Sequence, residues 1–309
     1  EEEYKAVMEK REGVYAGVGI TISTATDGSY YVITAVTENS PAQKAGIQPL
    51  DLLVAVDGES AAEMSFDDLS DRVKGEPGSE VTLTILREGV QQKYTLQREE
   101  VQTPGVKAQM LEGNIGLIRI ESFSKNVDQE FSQKLQQLLD DGAQALVFDV
   151  RFNPGGFVDV LVNMLDELLP KGTVISITDK AGESTTYSSD EECVKLPMAV
   201  LCNEYSISAA EFFAASLQEY GVATVVGAHT LGKGYAQTMI PLTGGGALNL
   251  STSRYYTAKG VSLAGVGITP DVESSLGEDK LNRFYTLQPE EDDQLQKALE
   301  VLRQQMSEN

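Results

Sequence analysis

A serine and a lysine in the second half of the chain have the residue types of a nucleophile and a base. Ser208 follows the apolar run Met198–Cys202 and precedes a helical pattern that starts at Ala209. We therefore expect Ser208 at a helix N-terminus, where unpaired backbone N–H groups favour developing negative charge. Lys233 follows in a glycine-rich stretch. The pair predicts a serine enzyme whose base is a lysine rather than a histidine.

The lysine can accept a proton from the serine only if its amine is neutral. In water a lysine is neutral in only about one molecule in 2500 at pH 7, so we expect apolar surroundings that disfavour the charged form. The neighbours expected to supply those surroundings are Val225, Val226, Leu231 and Ile240. If residues 232–237 are extended, Lys233 and Gln237 share a face, and Gln237 could orient the amine.

The residue types alone leave simpler alternatives open. A lysine between glycines can be a solvated loop residue, and a serine before a helix can be an N-cap. His229 is the only histidine, so a Ser-His-Asp triad would have to use it, and nothing in the sequence supports that role. Cys193 and Cys202 lack metal-ligand spacing, so no metal site is predicted, and the two thiols could pair or stay free.

Five segments follow one another through this half of the chain: Asp149–Gly156, Ser206–Glu211, Gly232–Gln237, Arg254–Thr257 and Gly267–Asp271. In composition and order they resemble the C-terminal processing peptidases, or tail-specific proteases, of family S41. The resemblance covers most of residues 100–275. It implies a serine endopeptidase with a Ser-Lys dyad that cleaves protein substrates near their C-termini, without metal or organic cofactor.

The resemblance also assigns catalytic roles. It selects Ser208 rather than Ser206 as the nucleophile, because the family's serine precedes its lysine by 25 positions, and it makes Lys233 the base. Gln237, four residues after the lysine, is implied to position it. Leu231 departs from the family's usual phenylalanine, which bears on the shape of the subsites rather than on the chemistry.

The same resemblance implies an oxyanion hole made by backbone amides. One amide is that of Ala209, and the other comes from Gly155 or Gly156, which the sequence does not distinguish. The loss of one such donor typically costs about 100- to 1000-fold in rate. Asp149 and Arg151 are expected to brace this glycine turn rather than to catalyse. Phe152 stands where the family usually has a small polar residue.

An upstream region resembles a PDZ domain from about residue 15 to residue 98, on the residues 17–20, 40–47 and 51–58. Such a module binds an extended peptide by strand addition, and its loop amides capture the terminal carboxylate. The capturing amides are implied to be those of Gly17, Val18, Gly19 and Ile20. By analogy the domain could also gate the active site. Leu50 replaces a glycine common in this subclass, so the loop there is expected to differ in shape.

Length and charge limit the partners. A chain of 309 residues suits two modest domains, and a net charge of −23 disfavours nucleic acid and anionic membranes. We expect protein or peptide substrates with free C-termini, and a homo-oligomer is conceivable. The resemblance implies an extracytoplasmic location. The chain starts at Glu1 without a targeting segment, so we expect a trimmed or mature form.

The predicted elements alternate between strand and helix, which favours an α/β fold. Strands are expected near residues 114–121, 145–150, 174–178, 198–202, 223–226 and 247–256. Helices are expected near residues 128–140, 157–169, 209–220 and 292–305. The resemblance implies a layered-sheet peptidase core of crotonase-like or ClpP-like shape, with the PDZ domain inserted or preceding. The expected domains are an N-terminal helical segment over 1–14, the PDZ domain over 15–98 and the peptidase core over 99–309.

Two other functions remain open at this point. A catalytically inactive scaffold would keep the PDZ groove and bind peptides without turnover. An acyl-thioester enzyme of the crotonase type could use the same pair of amides, but it would need neither a PDZ domain nor this Ser-Lys spacing. Turnover of unfolded protein and binding of coenzyme A derivatives separate the three possibilities.

Overall fold

The structure, a computed structural model, describes residues 12–24, 31–243 and 246–308. The chain divides between Pro104 and Gly105 into two compact units. Most of the predicted helical segment 1–14 lies outside the described residues, and Val14 already belongs to the first strand. Each unit is described below on its own.

The smaller unit is mainly antiparallel sheet. Its strands are β1 (Val14–Gly17), β2 (Ile20–Thr24), β3 (Tyr31–Val36), β4 (Leu52–Val56), β5 (Glu59–Ser60), β6 (Glu80–Arg87), β7 (Val90–Gln97) and β8 (Glu99–Gln102). Its helices are α1 (Pro41–Lys44) and α2 (Phe66–Val73). The main sheet has the order β2-β3-β4-β6-β7, β5 pairs with β4, and β1 pairs with β8. Leu69 and Val73 of α2 are buried in the core of this unit because they lie one turn apart on the same helix face.

The strand β2 lies at the edge of this sheet. Among the described residues it pairs only with β3, so its other edge has main-chain donors and acceptors without a partner strand. An edge of this kind can accept an added strand. The fold of the smaller unit therefore provides what strand addition requires.

Leu50 adopts a backbone conformation that glycine normally supplies. Its φ is +73°, in the left-handed region, and its side chain is 82% exposed. Its amide donates to the carbonyl of Ile33 at 2.8 Å, which holds the turn in place. The turn therefore has a left-handed residue at this position. The leucine side chain remains exposed, so its burial does not offset the cost of that conformation.

The larger unit combines two sheets with helices. Its strands are β9 (Val106–Leu111), β10 (Ile115–Ile120), β11 (Ala145–Asp149), β12 (Gly172–Asp179), β13 (Ser184–Ser189), β14 (Met198–Cys202), β15 (Ala223–Gly227), β16 (Tyr235–Pro241), β17 (Ala247–Tyr256) and β18 (Val272–Glu273). Its helices are α3 (Val127–Asp140), α4 (Val158–Asp166), α5 (Ala209–Glu219), α6 (Glu278–Asn282) and α7 (Asp293–Glu308). The predicted α/β class is confirmed, and the predicted strands and helices agree with these bounds to within a few residues.

A six-stranded sheet of order β18-β15-β14-β11-β10-β9 forms the centre of this unit. All neighbours in it are parallel except the edge pair β9 and β10. Every residue of β11 and β14 is buried, as expected for parallel strands covered on both faces. The helix α7 covers one face through Leu295, Leu299 and Leu302, which confirms the predicted packing of the last helix within the chain.

A second, four-stranded antiparallel sheet has the order β13-β12-β17-β16. The strand β12 pairs with β17 only between Ser176–Asp179 and Ser253–Tyr256. The rest of β17 pairs with β16 alone among the described residues. The distal parts of β16 and β17 therefore form a two-stranded ribbon.

A buried ion network ties the end of β11 to the start of α7. Asp149 Oδ2 accepts hydrogen bonds from Nη2 of Arg119 and of Arg151, both at 2.8 Å. Arg151 also donates to Asp292 Oδ2 at 2.7 Å and to Gln294 Oε1 at 3.0 Å. Burial alone would raise the pKa of Asp149, but the two guanidinium groups outweigh burial and hold that pKa well below its usual range. The bracing role predicted for Asp149 and Arg151 fits this geometry.

Asp149→Asn should lower the free energy of unfolding by about 3–5 kcal/mol at pH 7, because it removes the carboxylate charge that two guanidinium groups share. A depressed folded-state pKa stabilises the fold above the unfolded value near 3.9, and that stabilisation is lost as the pH falls through the folded value. The difference between wild type and variant should therefore be largest above about pH 4 and shrink in acid. Denaturant unfolding over a pH series measures it. Exposed Asp141→Asn is the control, expected within about 0.5 kcal/mol of wild type.

Leu50→Gly should stabilise the smaller unit by about 0.5–1 kcal/mol. The change removes a left-handed penalty of roughly 1–2 kcal/mol, and the greater freedom of glycine in the unfolded chain offsets part of this gain. Leu50→Ala is the matched control, since it removes the exposed side chain but keeps the strained backbone. Thermal unfolding of the three proteins tests the point, and equal stability of the glycine and alanine variants would contradict it.

Candidate active site

Three loops meet at one edge of the central sheet. The strands β11, β14 and β15 are parallel neighbours, so their carboxyl ends lie side by side. The loop after β11 carries Gly155 and Gly156, the loop after β14 carries Ser208 and Ala209, and the loop after β15 carries Lys233. In open α/β sheets this edge is where sites form. The topology thus brings most of the sequence-predicted catalytic residues to one place.

Ser208 holds an uncommon backbone conformation immediately before α5. Its φ is 59° and its ψ is −118°, outside the regions that ordinary residues favour. Such conformations persist only where the surroundings enforce them, and they cluster at functional sites. Ala209 is the first residue of α5, so its amide is among those without an intrahelical acceptor. The serine therefore stands at the positive end of a buried helix.

Ser206 is engaged elsewhere. Its hydroxyl donates to the carbonyl of Val150 at 2.8 Å and accepts from the amide of Asn203 at 3.0 Å, and the residue is buried. Ser208 is only half-buried. Of the two serines, Ser206 thus holds the loop together, which leaves Ser208 as the candidate nucleophile.

Gly155 packs directly against the nucleophile loop. A Cβ on it would lie 2.7 Å from the carbonyl oxygen of Ile207, 2.8 Å from Ser208 Cβ and 3.0 Å from the amide nitrogen of Ala209. Its φ is +91°, a conformation that also favours glycine. Only a residue without a side chain lets the turn approach the serine this closely.

Gly156 faces a different neighbour. A Cβ on it would collide with the backbone carbonyl of Phe123, and the residue is exposed whereas Gly155 is buried. The amide of Gly155 donates to Asn153 Oδ1 at 2.8 Å. Proximity to Ser208 thus distinguishes Gly155 from Gly156, although the Gly155 amide has an acceptor within its own turn.

Two asparagines join the glycine turn to the nucleophile loop. Asn203 Oδ1 accepts from the amides of Phe152 and Tyr205, each at 3.1 Å. The carbonyl of Asn153 accepts from the amide of Ile207 at 2.9 Å. The rings of Phe152 and Tyr205 stack with centroids 5.1 Å apart. These contacts fix the relative position of the two loops.

Glu211 connects the serine loop to the lysine loop. Its carboxylate is fully buried, and Oε2 accepts from the backbone amides of both Ser208, at 2.9 Å, and Lys233, at 2.8 Å. Oε1 accepts from the hydroxyl of Thr230 at 2.5 Å and from the amide of Gly232 at 2.7 Å. One oxygen atom thus holds the main chains of the candidate nucleophile and the candidate base together.

No role was predicted for Glu211 from the sequence. The signal was present in the spacing Ser-x-x-Glu, from Ser208 to Glu211, which is the pattern of a capping box at a helix start. The bond from the Ser208 amide to Glu211 is one half of that box. Glu211 also accepts hydrogen bonds from residues 230–233. These residues are distant from Glu211 along the chain, so no local sequence pattern predicts the contact.

Lys233 is half-buried, but two of its expected apolar neighbours are not. Leu231 is 62% exposed and Ile240 is 42% exposed, so the prediction that they shield the amine is wrong. Val225 and Val226 are buried as expected for residues of β15.

Gln237 lies in the exposed ribbon, where its Oε1 accepts from Asn249 Nδ2 at 3.3 Å. The strand β16 starts only at Tyr235, and the pairing register shifts between Ala236 and Gln237. The alternation argument that put Lys233 and Gln237 on one face therefore does not hold. Within the described part of the chain no hydrogen bond joins the two side chains.

The remaining candidate groups have structural surroundings. His229 contacts the carbonyl of Val266 at 2.7 Å through Nε2 and the hydroxyl of Thr269 at 3.4 Å through Nδ1. Cys193 and Cys202 are free thiols, and burial raises the pKa of Cys202 to about 12. The described residues contain no cluster of His, Cys, Asp and Glu side chains that could hold a metal ion.

The PDZ candidates form the entry into β2. Gly17 ends β1, where it pairs with Glu99, and Ile20 starts β2. Between them Val18 is buried, and Gly19 has a φ of +82°. A side chain on Gly19 would collide with Ser40, so the glycine lets the loop pass close to the start of α1. The loop thus leads directly into the edge strand β2.

The family models match both units. A model described as peptidase family S41 matches residues 114–274, and one described as a PDZ domain matches residues 32–87. None of the helices among the described residues is both long and apolar enough to cross a membrane.

The chain is similar to two processing proteases of bacteria. It is 31% identical over 308 residues to a carboxyl-terminal-processing protease of Synechocystis, an alignment that covers 97% of this chain and 71% of the relative. It is 29% identical over 341 residues to a carboxy-terminal-processing protease of Bartonella bacilliformis, covering 98% of this chain and 78% of the relative.

Solved structures agree with these relatives. The photosystem II D1 C-terminal processing protease matches with a TM-score of 0.53 and 29% identity, over 89% of this chain and 76% of that one. A putative S41 protease from Bacteroides fragilis matches with a TM-score of 0.58 and 18% identity, over 94% of this chain and 85% of that one, which shows likeness of fold. The chain therefore belongs to peptidase family S41, a family of serine peptidases, and contains a PDZ domain.

Proposed function

We propose that this chain is an endopeptidase with a Ser-Lys dyad that cleaves protein substrates near their C-termini. Ser208 is the nucleophile and Lys233 the base. The observation that carries the proposal is the pair of hydrogen bonds from the amides of these two residues to one oxygen of buried Glu211. That shared oxygen keeps the nucleophile and the base on adjoining main-chain segments.

The proposed reaction begins with proton transfer from the Ser208 hydroxyl to the amine of Lys233. The serine oxygen attacks the scissile carbonyl, and the resulting oxyanion accepts hydrogen bonds from the amides of Ala209 and Gly155. The Gly155 amide would share or leave its bond to Asn153 Oδ1. Lys233 then protonates the leaving amine, and water releases the acyl group from Ser208.

Glu211 is a positioning residue in this proposal. It touches neither the substrate nor the reacting atoms, and it acts through the backbones of Ser208 and Lys233. Gln237 keeps its proposed part in orienting Lys233, for which it would have to exchange its contact with Asn249.

The PDZ domain is proposed to hold the substrate's tail. An extended peptide would add to the free edge of β2, and its terminal carboxylate would meet the loop amides of residues 17–20. Binding there could gate the peptidase, as the resemblance implied. Assembly into a homo-oligomer and an extracytoplasmic location stay predictions.

Ser208→Ala should lower kcat for peptide hydrolysis by about 10⁶-fold, and Lys233→Met by at least about 10²- to 10⁴-fold, while substrate binding persists. Lys259→Met removes a lysine from the same stretch of chain and should keep kcat within about two-fold. Initial rates on an unfolded protein measure all three. Full turnover by the Ser208 variant would refute the assignment, and an inactive wild type that still binds tails would favour a scaffold.

Glu211→Gln should lower kcat by about 100-fold and leave KM nearly unchanged. An amide NH₂ in place of one oxygen would face backbone donors, so the loops of Ser208 and Lys233 would separate, and misplacement of about 1 Å costs rate of this order. Exposed Glu204→Gln, four residues before the nucleophile, is the matched control and should behave as wild type. A Glu211 variant with wild-type kcat would remove the positioning role.

Tail recognition can be measured apart from catalysis on the Ser208→Ala protein. A peptide with a free terminal carboxylate should bind at least about ten-fold more tightly than the same peptide with a terminal carboxamide, because the loop amides donate to a charged group. Fluorescence anisotropy gives both dissociation constants. Equal affinities would exclude carboxylate capture while leaving the catalytic assignment intact.

A further inference from the structure

The stretch that contains Lys233 has a charge pattern unlike the rest of the chain. Residues 220–270 contain no aspartate or glutamate, whereas the whole chain has 47 acidic residues among 309. The charged residues in this stretch are Lys233, Arg254 and Lys259. A strongly acidic protein thus has a neutral to basic segment that begins beside its candidate nucleophile helix and includes its candidate base.

The ribbon within this stretch exposes an apolar face. Ile240 pairs with Leu248 and Thr238 pairs with Leu250, and paired residues of an antiparallel ladder point to the same side. Leu242 follows two residues after Ile240. The ribbon face is defined by Ile240, Leu242, Leu248 and Leu250, whose exposed fractions lie between 41% and 53%. Four large apolar side chains side by side on one surface are uncommon unless something binds there.

The edge of the ribbon can also bind main chain. The strand β16 ends the order of its sheet, so among the described residues its outer edge has no partner strand. An extended peptide that pairs with this edge would satisfy its donors and acceptors and place alternate side chains over the ribbon face. Main-chain pairing and an apolar face are thus available together.

We propose that the ribbon binds an extended, apolar-rich stretch of the substrate polypeptide as an added strand on β16. The occupant follows from three features. The strand β16 starts two residues after Lys233, strand pairing accepts many sequences, and the absence of acidic residues spares the carboxylates of a polypeptide the repulsion that they would meet from an acidic surface. The proposal rests on the proposed peptidase function and adds to it a substrate-binding surface outside the PDZ domain.

The double variant Ile240→Ser/Leu248→Ser tests the ribbon face with an enzyme assay. With β-casein as an unfolded substrate, KM should rise about ten-fold with little change in kcat, because two half-exposed apolar side chains no longer bury surface. A reporter peptide limited to the residues around the scissile bond should be hydrolysed at the wild-type rate. Val261→Ser/Val266→Ser is the matched control, since both valines are exposed in the same acid-free stretch but lie outside the ribbon.

A second measurement leaves the ribbon unaltered and so does not depend on how the double variant folds. In an added strand only alternate amides donate to β16, so two long peptides are made, each with N-methyl groups on one of the two alternate sets of amides in its apolar segment. The peptide whose methylated amides face β16 should bind the Ser208→Ala protein about ten-fold more weakly than the unmethylated peptide. The measurement reports binding rather than a rate, so its interpretation does not require Ser208 or Lys233 to be catalytic.

Unchanged KM in the double variant together with equal binding of methylated and unmethylated peptides would overturn the proposal. So would a wild-type dimer in sedimentation that the double variant converts to monomer without any change in KM, because a second copy would then be the occupant. If Ser208→Ala abolishes turnover while the KM of the double variant and the binding of methylated peptides equal the reference values, the Ser-Lys assignment is supported and only the ribbon proposal is overturned.

Discussion

The structure depends on one buried carboxylate with four hydrogen-bond donors. Glu211 lies without solvent exposure in the first turn of α5, and three backbone amides and one hydroxyl donate to it. A buried charge is costly unless it is fully hydrogen-bonded, so the loops that supply these donors cannot move away without leaving the charge unsatisfied. The hydrogen bonds that one buried carboxylate requires therefore fix the distance between the serine and lysine segments.

The parallel sheet makes that arrangement possible. The strands β11, β14 and β15 are neighbours, so the glycine turn, the serine loop and the lysine loop leave the sheet at the same edge. Gly155 then approaches Ser208 closely because it has no side chain. Two acceptors join these loops: the side-chain oxygen of Asn203 and the backbone carbonyl of Asn153. The geometry of the candidate site is thus built from backbone positions, which side-chain identity controls only indirectly.

Much of this could be predicted from the sequence, and the failures have physical reasons. Buried parallel strands such as β14 appear in the sequence as continuous apolar runs, so the α/β core could be predicted. Ser208 is followed by a helical pattern, so its position at a helix start could be predicted as well. The surroundings of Lys233 were not predictable. Whether Ile240 is buried depends on how a hairpin projects from its sheet, and Leu231 lies in the loop before that hairpin. A register shift within β16 likewise defeated the alternation that related Lys233 to Gln237. The four-donor role of Glu211 needed contacts between distant loops.

The salt-bridge chain from Arg119 through Asp149 and Arg151 to Asp292 has a consequence for biosynthesis. Arg151 lies in the loop of the glycine turn, yet part of its neutralising charge comes from a residue synthesised long after Ser208 and Lys233. A nascent polypeptide on the ribosome therefore carries an incompletely braced turn until Asp292 has emerged and α7 has docked. Complete bracing of the glycine turn therefore requires a segment that lies far along the chain from both Ser208 and Lys233.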